Sequence, residues 1–233
     1  MELKNARVLL TGGSSGIGKA TAKLLTDKRA KVLITGRDEA KLKSVALELG
    51  CDFIAADSGV ETEIEKIFEK VDSLWGGLDV LINNAGIGSF QPIEDLTFDA
   101  FDEIFKVNVY GAAVTAKHAV IRFKNQNKGH IINIASSAGL KGFSNGSVYS
   151  ASKFALRSMT QCWQGELRKH NIRVMLVNPS EVTTAFASSE RVEREDVSNK
   201  LTGFEIGHSI VAALEMDDRG FIPELSVWAT NPF

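Results

Sequence analysis

The chain reads as an α/β protein: a doubly wound parallel sheet of about seven strands between two layers of helices, a three-layer α/β/α sandwich. Three observations point there. Short apolar runs alternate with stretches of helical period from Val8 almost to the end of the chain, the pattern of a parallel sheet with right-handed crossovers. The first run stops at a glycine-rich turn that opens a helix. The 233 residues, 44% hydrophobic and 24% charged, are enough for one large domain with a full core. No repeat, low-complexity tract or linker interrupts residues 1–233, so a single domain is expected.

Bulk composition excludes other classes. A net charge of −2 provides no basic field for nucleic acid. The two cysteines, Cys51 and Cys162, have neither metal nor redox spacing. Their scarcity argues against a disulfide framework and for a cytoplasmic location. No apolar run approaches the length needed to cross a membrane, and Met1 to Leu10 lacks the long apolar segment of an export signal.

Taken in order, Val8 to Leu10 is a buried strand that ends at Thr11-Gly12-Gly13-Ser14-Ser15-Gly16-Ile17-Gly18. Lys19 to Leu25 follows with helical spacing. Glycines at 12, 16 and 18 let the backbone approach a phosphate, and the helix start aims N–H groups at it. The first glycine gap is three residues, not the single one of G-x-G-x-x-G. Lys31 to Thr35 is the second strand, ending at Gly36-Arg37. An acid at this strand end would bind a ribose 2′-hydroxyl, whereas arginine suits a 2′-phosphate. Gly36 removes the acid and Arg37 supplies the cation, so NADP(H) is expected over NAD(H). A solvated turn residue is the other reading of Arg37.

Asp38 caps a helix running to about Leu49. Asp52 to Asp57 is the third strand, with Asp57 at its end beside the adenine crevice. Thr62 to Leu74 is amphipathic, with Ile64, Ile67, Phe68 and Val71 on one stripe. Leu78 to Ile82 is the fourth strand and runs into Asn83-Asn84-Ala85-Gly86, small and amide residues that suit a backbone beside a cofactor. Ligands in such sheets bind at the C-terminal strand ends. Phe98 to about Phe123 reads as one long helical stretch. Within it Asn108 is a poor mid-helix residue, functional or a buried structural amide on local grounds alone.

Ile131 to Ala135 is the fifth strand and delivers Ser136 and Ser137 to the sheet edge. A loop from Gly139 to Ser147 leads into a helix expected to reach about His170. Val174 to Val177 is the sixth strand, ended by Asn178-Pro179. From there to Thr202 the chain turns rich in Ser, Glu and Arg, a substrate lid at about 180–202 with one or two short helices. Gly203 to Met216 resumes a helix, and Glu224 to Ala229 is the last strand.

One helix carries Tyr149-Ser150-Ala151-Ser152-Lys153. Residues four apart share a helix face, so an ammonium sits near a phenol. A nearby positive charge should lower the tyrosine pKa from roughly 10 and fit it for proton exchange with a carbonyl or alcohol. Alone the pair is equally an ordinary solvated face.

Together these motifs resemble the short-chain dehydrogenase/reductase family, and in overall character its 3-oxoacyl-acyl-carrier-protein-reductase-like members. The resemblance covers nearly the whole chain. Its motifs stand in family order: Thr11-Gly12-x-x-x-Gly16-Ile17-Gly18, Asn83-Asn84-Ala85-Gly86, Asn108, Ser136, and Tyr149-x-x-x-Lys153. It implies a Rossmann-type fold and a catalytic set of Asn108, Ser136, Tyr149 and Lys153. Tyr149 would be general acid in reduction or base in oxidation. Lys153 would lower its pKa and bind the nicotinamide ribose. Ser136 would hold the substrate oxygen. Asn108 would distort its helix and hold a water linking Lys153 to solvent. Gly12, Ser14, Ser15, Gly16, Ile17, Gly18, Arg37, Asp57, Asn84, Ala85 and Gly86 would line the dinucleotide. Tyr149 and Lys153 would join them, and Pro179, Val182 and Thr184 would meet its carboxamide and phosphate end.

The chain departs from the family pattern at three places. Ser180 follows Pro179 where glycine is usual. Ser15 stands where many NADP-users carry a basic residue. The C-terminus lacks a glycine pair after the last strand, which bears on tetramer packing. The resemblance further implies NADPH-dependent reduction of a ketone or 3-oxoacyl group, and a homodimer or homotetramer built on two long helices, with Met159 and Trp163 facing it. The alternative is a dehydrogenase of a small alcohol, hydroxy acid, sugar or sterol-like substrate using NAD(P). A non-catalytic dinucleotide-binding regulator is a further alternative. An acyl carrier protein, if it is the partner, would want cations at the site mouth, and Lys124, Lys128, Arg168 and Lys169 are the candidates. Phe90, Phe143 and Phe186 are candidates for an apolar pocket.

Overall fold

A computed structural model describes residues 1–184, 186 and 197–232. Seven parallel strands form one sheet in the order β3-β2-β1-β4-β5-β6-β7. They are β1 (Arg7–Thr11), β2 (Lys31–Gly36), β3 (Asp52–Ala55), β4 (Val80–Asn83), β5 (Gly129–Ile134), β6 (Ile172–Pro179) and β7 (Glu224–Val227). The helices are α1 (Gly16–Asp27), α2 (Glu39–Leu49), α3 (Glu61–Trp75), α4 (Phe98–Phe105), α5 (Ala112–Gln126), α6 (Ser147–Leu167) and α7 (Gly203–Glu215). The doubly wound α/β/α architecture is the one the alternating runs call for.

Both faces of the sheet are covered, which is why its strands read as continuous apolar runs. Successive side chains point to opposite faces. Leu10, Ile34 and Ile132 pack with Leu25 of α1, Leu42 of α2 and Ile210 of α7. Leu9, Leu33 and Ile131 pack on the other side with Ile67 and Phe68 of α3 and Phe123 of α5. The stripe read on α3 is the one it buries: Ile64, Ile67, Phe68 and Val71. Asp38 caps α2 by accepting from the Lys41 N–H at 2.9 Å.

Several boundaries differ from expectation. The stretch from Phe98 to Phe123 is not one regular helix: a π-helical turn over Lys106–Gly111 separates α4 from α5, and Asn108 lies in it. β3 stops at Ala55, so Asp57 lies in the loop beyond it. Its carboxylate is used locally, accepting from the Gly59 N–H at 2.7 Å. β6 runs on through Asn178 and Pro179 because β7 extends the ladder beside them. The last strand is shorter than expected and ends at Val227. Residues 185 and 187–196 of the anticipated lid lie outside the described residues, and the expected short helices with them. Its two ends do meet: Val182 bridges Leu201, and Glu181 pairs with Lys200 at 2.8 Å.

A buried polar chain ties α6 to the sheet. Asn83 donates to Asn133 at 3.0 Å, and Asn133 donates to Thr160 of α6 at 2.8 Å. Asn83 also donates to the Ala112 carbonyl at the start of α5. Satisfied networks of this kind fix register as well as adding stability.

No helix among the described residues is long and apolar enough to cross a membrane. Thr202 caps α7 reciprocally: its hydroxyl accepts from the Phe204 N–H at 3.2 Å, and Glu205 reaches back to the Thr202 N–H at 2.8 Å. Loss of such a cap costs about 1 kcal/mol. Thr202→Ala should therefore lower the melting temperature by roughly 2–4 °C, read by calorimetry.

Candidate active site

The sheet order reverses between β1 and β4, and a cleft opens there at the C-terminal strand ends. Its volume is about 830 Å³. At the reversal, Thr11 and Asn84 clasp one another. The Thr11 hydroxyl accepts from the Asn84 and Ala85 N–H groups at 3.1 and 3.0 Å. The Asn84 amide donates to the Thr11 and Gly12 carbonyls at 3.0 and 2.9 Å. Both Asn84 donors are thus spent on the protein, and Asn84 faces the cleft as a strut.

The turn after β1 needs its glycines for two distinct reasons. Gly12 has φ +70°, the left-handed region that side chains disfavour. Gly18 has no torsional need, but a Cβ there would lie 2.1 Å from the Gly12 carbonyl oxygen. The result is a bare backbone cradle at the start of α1. Ser14, Ser15, Gly16 and Ile17 complete this wall. Arg37 lies at its far end, exposed, without an ion pair or hydrogen bond among the described residues. Asp57, Ala85, Gly86, Pro179, Val182 and Thr184 line the same cleft. Ser180 is not among the residues with positive φ, so nothing in its backbone requires glycine.

β5 ends at Ile134, and the next turn sets Ser136 at the cleft. Its hydroxyl accepts from the Ala138 N–H at 3.1 Å and faces Tyr149 closely enough to favour the phenolate. Tyr149 and Lys153 stand one turn apart on α6, both buried and both on the cleft wall. The Lys153 ammonium donates to the Ile134 carbonyl at 2.9 Å and lies 5.7 Å from the Tyr149 ring centre.

The electrostatics differ from expectation. Burial pushes the Tyr149 phenol up to about 12, outweighing the neighbouring Ser136 hydroxyl that pulls it down. Burial also drives the Lys153 amine down to about 8. In this structure the ammonium does not lower the phenol; desolvation governs both groups.

Asn108 does not line the cleft. It is buried behind it, with its side chain committed: Oδ1 accepts from the Ile87 N–H at 2.9 Å, and Nδ2 donates to the Ile87 carbonyl at 2.9 Å and to Ser152 at 3.1 Å. The π-turn thereby ties the Gly86–Ile87 backbone to α6.

Sequence reasoning missed Thr11 as a clasp, the Ile134 carbonyl as the lysine's acceptor, Ser152 as the partner of Asn108, and Trp228 as a wall of the cleft. Only Thr11 left a signal, a hydroxyl at the strand-to-turn junction. The four basic residues considered for an acidic partner are misplaced for that role. Lys124, Lys128, Arg168 and Lys169 lead into β5 and β6, on the sheet edge opposite the cleft, and Lys128 is paired with Asp218 at 2.7 Å. Met159 and Trp163 are partly buried against the protein's own core and do not stand free.

A family described as short chain dehydrogenase matches residues 6–195. The chain belongs to the short-chain dehydrogenase family. It is an oxidoreductase of the NAD(P)-dependent dehydrogenase/reductase type. An uncharacterised oxidoreductase of Staphylococcus aureus is 34% identical over 94% of this chain and 95% of its own. A 3-ketoacyl-(acyl-carrier-protein) reductase from Brucella melitensis, solved with NADH, superposes with a TM-score of 0.90 at 27% identity, over 99% of this chain and 100% of its own. A metagenomic short-chain oxidoreductase solved with NADP gives 0.85 at 30%, over 99% and 100%.

A fully buried amine with a pKa near 8 strains the fold at neutral pH. The unfolded chain holds that proton up to about 10.4, so stability rises with pH between the two values. Lys153→Met should stabilise the protein at pH 7 by on the order of 1–3 kcal/mol, a gain that shrinks towards pH 10. Denaturant unfolding at both pH values measures it.

Proposed function

We propose that this protein reduces a ketone or 3-oxoacyl group to an alcohol with NADPH. The observation that carries this reading is the placement of Ser136, Tyr149 and Lys153 on the wall of the same cleft that holds the bare Gly12–Gly18 cradle. The cradle fits a pyrophosphate: its backbone is open, and it ends at a helix start. Two solved relatives carry NADP or NADH in their structures. When bound, the dinucleotide supplies a hydride to the substrate carbon.

The chain's own residues do the rest. Ser136 donates to the substrate oxygen and steadies the negative charge that develops there. Tyr149 hands its proton to that oxygen. A phenol with a pKa of about 12 is fully protonated at neutral pH, which suits an acid for reduction better than a base for oxidation. Lys153, charged below about 8, is the cation beside that phenol and is taken to bind the nicotinamide ribose. The π-turn at Asn108 fixes the Gly86 backbone and α6 relative to one another.

Arg37 supports NADPH over NADH. It is the unpaired cation at the end of β2, where a 2′-phosphate would lie, and its planar fork suits that group. The protein is taken to act in the cytoplasm, both thiols being free. A second copy of the chain is taken as partner, with Tyr110 and Phe154 among the exposed aromatic residues of the two long helical segments.

Three measurements test this reading. Tyr149→Phe should lower ketone-dependent NADPH oxidation by roughly 10²–10⁴-fold while calorimetry shows cofactor still bound. Undiminished turnover in that variant would overturn Tyr149 as the acid. Arg37→Ala should weaken NADPH about 10-fold with little change for NADH. The kcat for reduction should hold steady below pH 8 and fall above it, as the buried Lys153 loses its proton.

A further inference from the structure

Where the cleft passes Tyr149, four aromatic side chains stand open in its wall. Phe90, Phe143, Phe186 and Trp228 expose 46%, 49%, 40% and 62% of their surface, and all four line the cavity. One exposed apolar side chain is ordinary, but four gathered round one cavity mark a binding surface. Three of them form a continuous run of ring contacts with the phenol. Phe143 lies 5.8 Å from Phe90, Phe90 meets Tyr149 edge-on at 5.5 Å, and Tyr149 meets Phe186 at 5.5 Å.

Backbone choices hold these rings in place. A Cβ at Gly146 would lie 2.5 Å from the Phe143 ring. One at Gly88 would lie 2.8 Å from Phe186 and 3.1 Å from Phe90. The rings therefore stand where two side-chain-free positions leave room for them.

Polar partners are few at this end. Ser136 and Tyr149 serve the reacting oxygen, and Ser137 lies on the same wall. Apart from Lys153, which donates to the Ile134 carbonyl, the charged side chains here among the described residues are Lys141 and Glu181, and Glu181 is already paired with Lys200 at 2.8 Å. A sugar would leave hydroxyl groups against ring faces without partners, which is costly, and a hydroxy acid would find only Lys141 as a fresh cation for its carboxylate. A carrier-bound thioester would find its candidate cations on the opposite sheet edge. Flat apolar groups stack on or edge against such rings favourably.

We infer that the substrate is an apolar ketone bearing an aryl or cyclic group next to its carbonyl, gripped by Phe90, Phe143 and Phe186 while Ser136 and Tyr149 hold the oxygen. This rests on the reductase reading above and narrows it. Reduction consumes one hydride from the dinucleotide and one proton from Tyr149, and releases the secondary alcohol.

The test compares NADPH oxidation with 1-tetralone, 2-butanone, dihydroxyacetone and the acetoacetyl thioester of N-acetylcysteamine. kcat/KM for 1-tetralone should exceed that for 2-butanone by roughly 10–100-fold, the worth of one buried ring. Phe143→Ala should cut that preference about 10-fold, and Phe143→Trp should keep it, with the fold of each variant verified by circular dichroism. Highest kcat/KM for dihydroxyacetone or the thioester, or an unmoved preference in Phe143→Ala, would overturn the inference. Calorimetric titration of 1-tetralone into the NADP⁺-saturated protein separates the two readings. Binding without turnover of any carbonyl sinks the reductase reading and leaves the aromatic grip standing. Turnover of dihydroxyacetone without tetralone binding sinks the grip alone.

Discussion

The site depends on the mutual clasp of Thr11 and Asn84 at the point where the sheet changes direction. A parallel sheet that winds both ways must leave a crevice there, because the chain departs to opposite sides from adjacent strands. Four hydrogen bonds between the ends of β1 and β4 hold the lips of that crevice at a fixed separation. Gly18 packs against the Gly12 carbonyl from behind, so the start of α1 is locked to the same point. Without these bonds the cradle and the β4 loop would have no common reference.

The second constraint is dielectric. α6 presses Tyr149 and Lys153 under the ends of β5 and β6, where water is scarce. Desolvation moves both groups towards their neutral forms, the phenol upwards and the amine downwards. The fold accepts a poorly placed charge on the cleft wall, as binding and catalytic sites often do. The Asn83–Asn133–Thr160 chain and the Asn108–Ser152 bond hold α6 there in spite of it. These amides sit in strand and helix interiors, where isolated polar groups would be costly, and each finds a partner.

Much of this was legible in the sequence, because the signals were local. Apolar runs gave the seven strands, and the α3 stripe matched its buried face residue for residue. The glycine turn, Ser136 and the Tyr149–Lys153 pair fell on one cleft as their positions at strand ends and on one helix face required. What escaped was non-local. Asn108 was readable as a misfit in a helix, but not the π-turn it sits in, which depends on bonds to Ile87 and Ser152 from distant segments. The direction of the Tyr149 shift was misjudged because spacing reports the nearest charge and not the burial. Lys124 and Lys128 looked useful because composition does not say which sheet edge a loop joins.

The small bridge between Val182 and Leu201 has a broader meaning. The chain leaves the end of β6 and re-enters α7 through a doorway only one residue pair wide, with Glu181 and Lys200 as its outer latch. Closing a loop at a fixed gate costs little more when the loop grows, since the entropy rises only with the logarithm of its length. Residues can therefore be added between these two ends at little entropic cost to the sheet below.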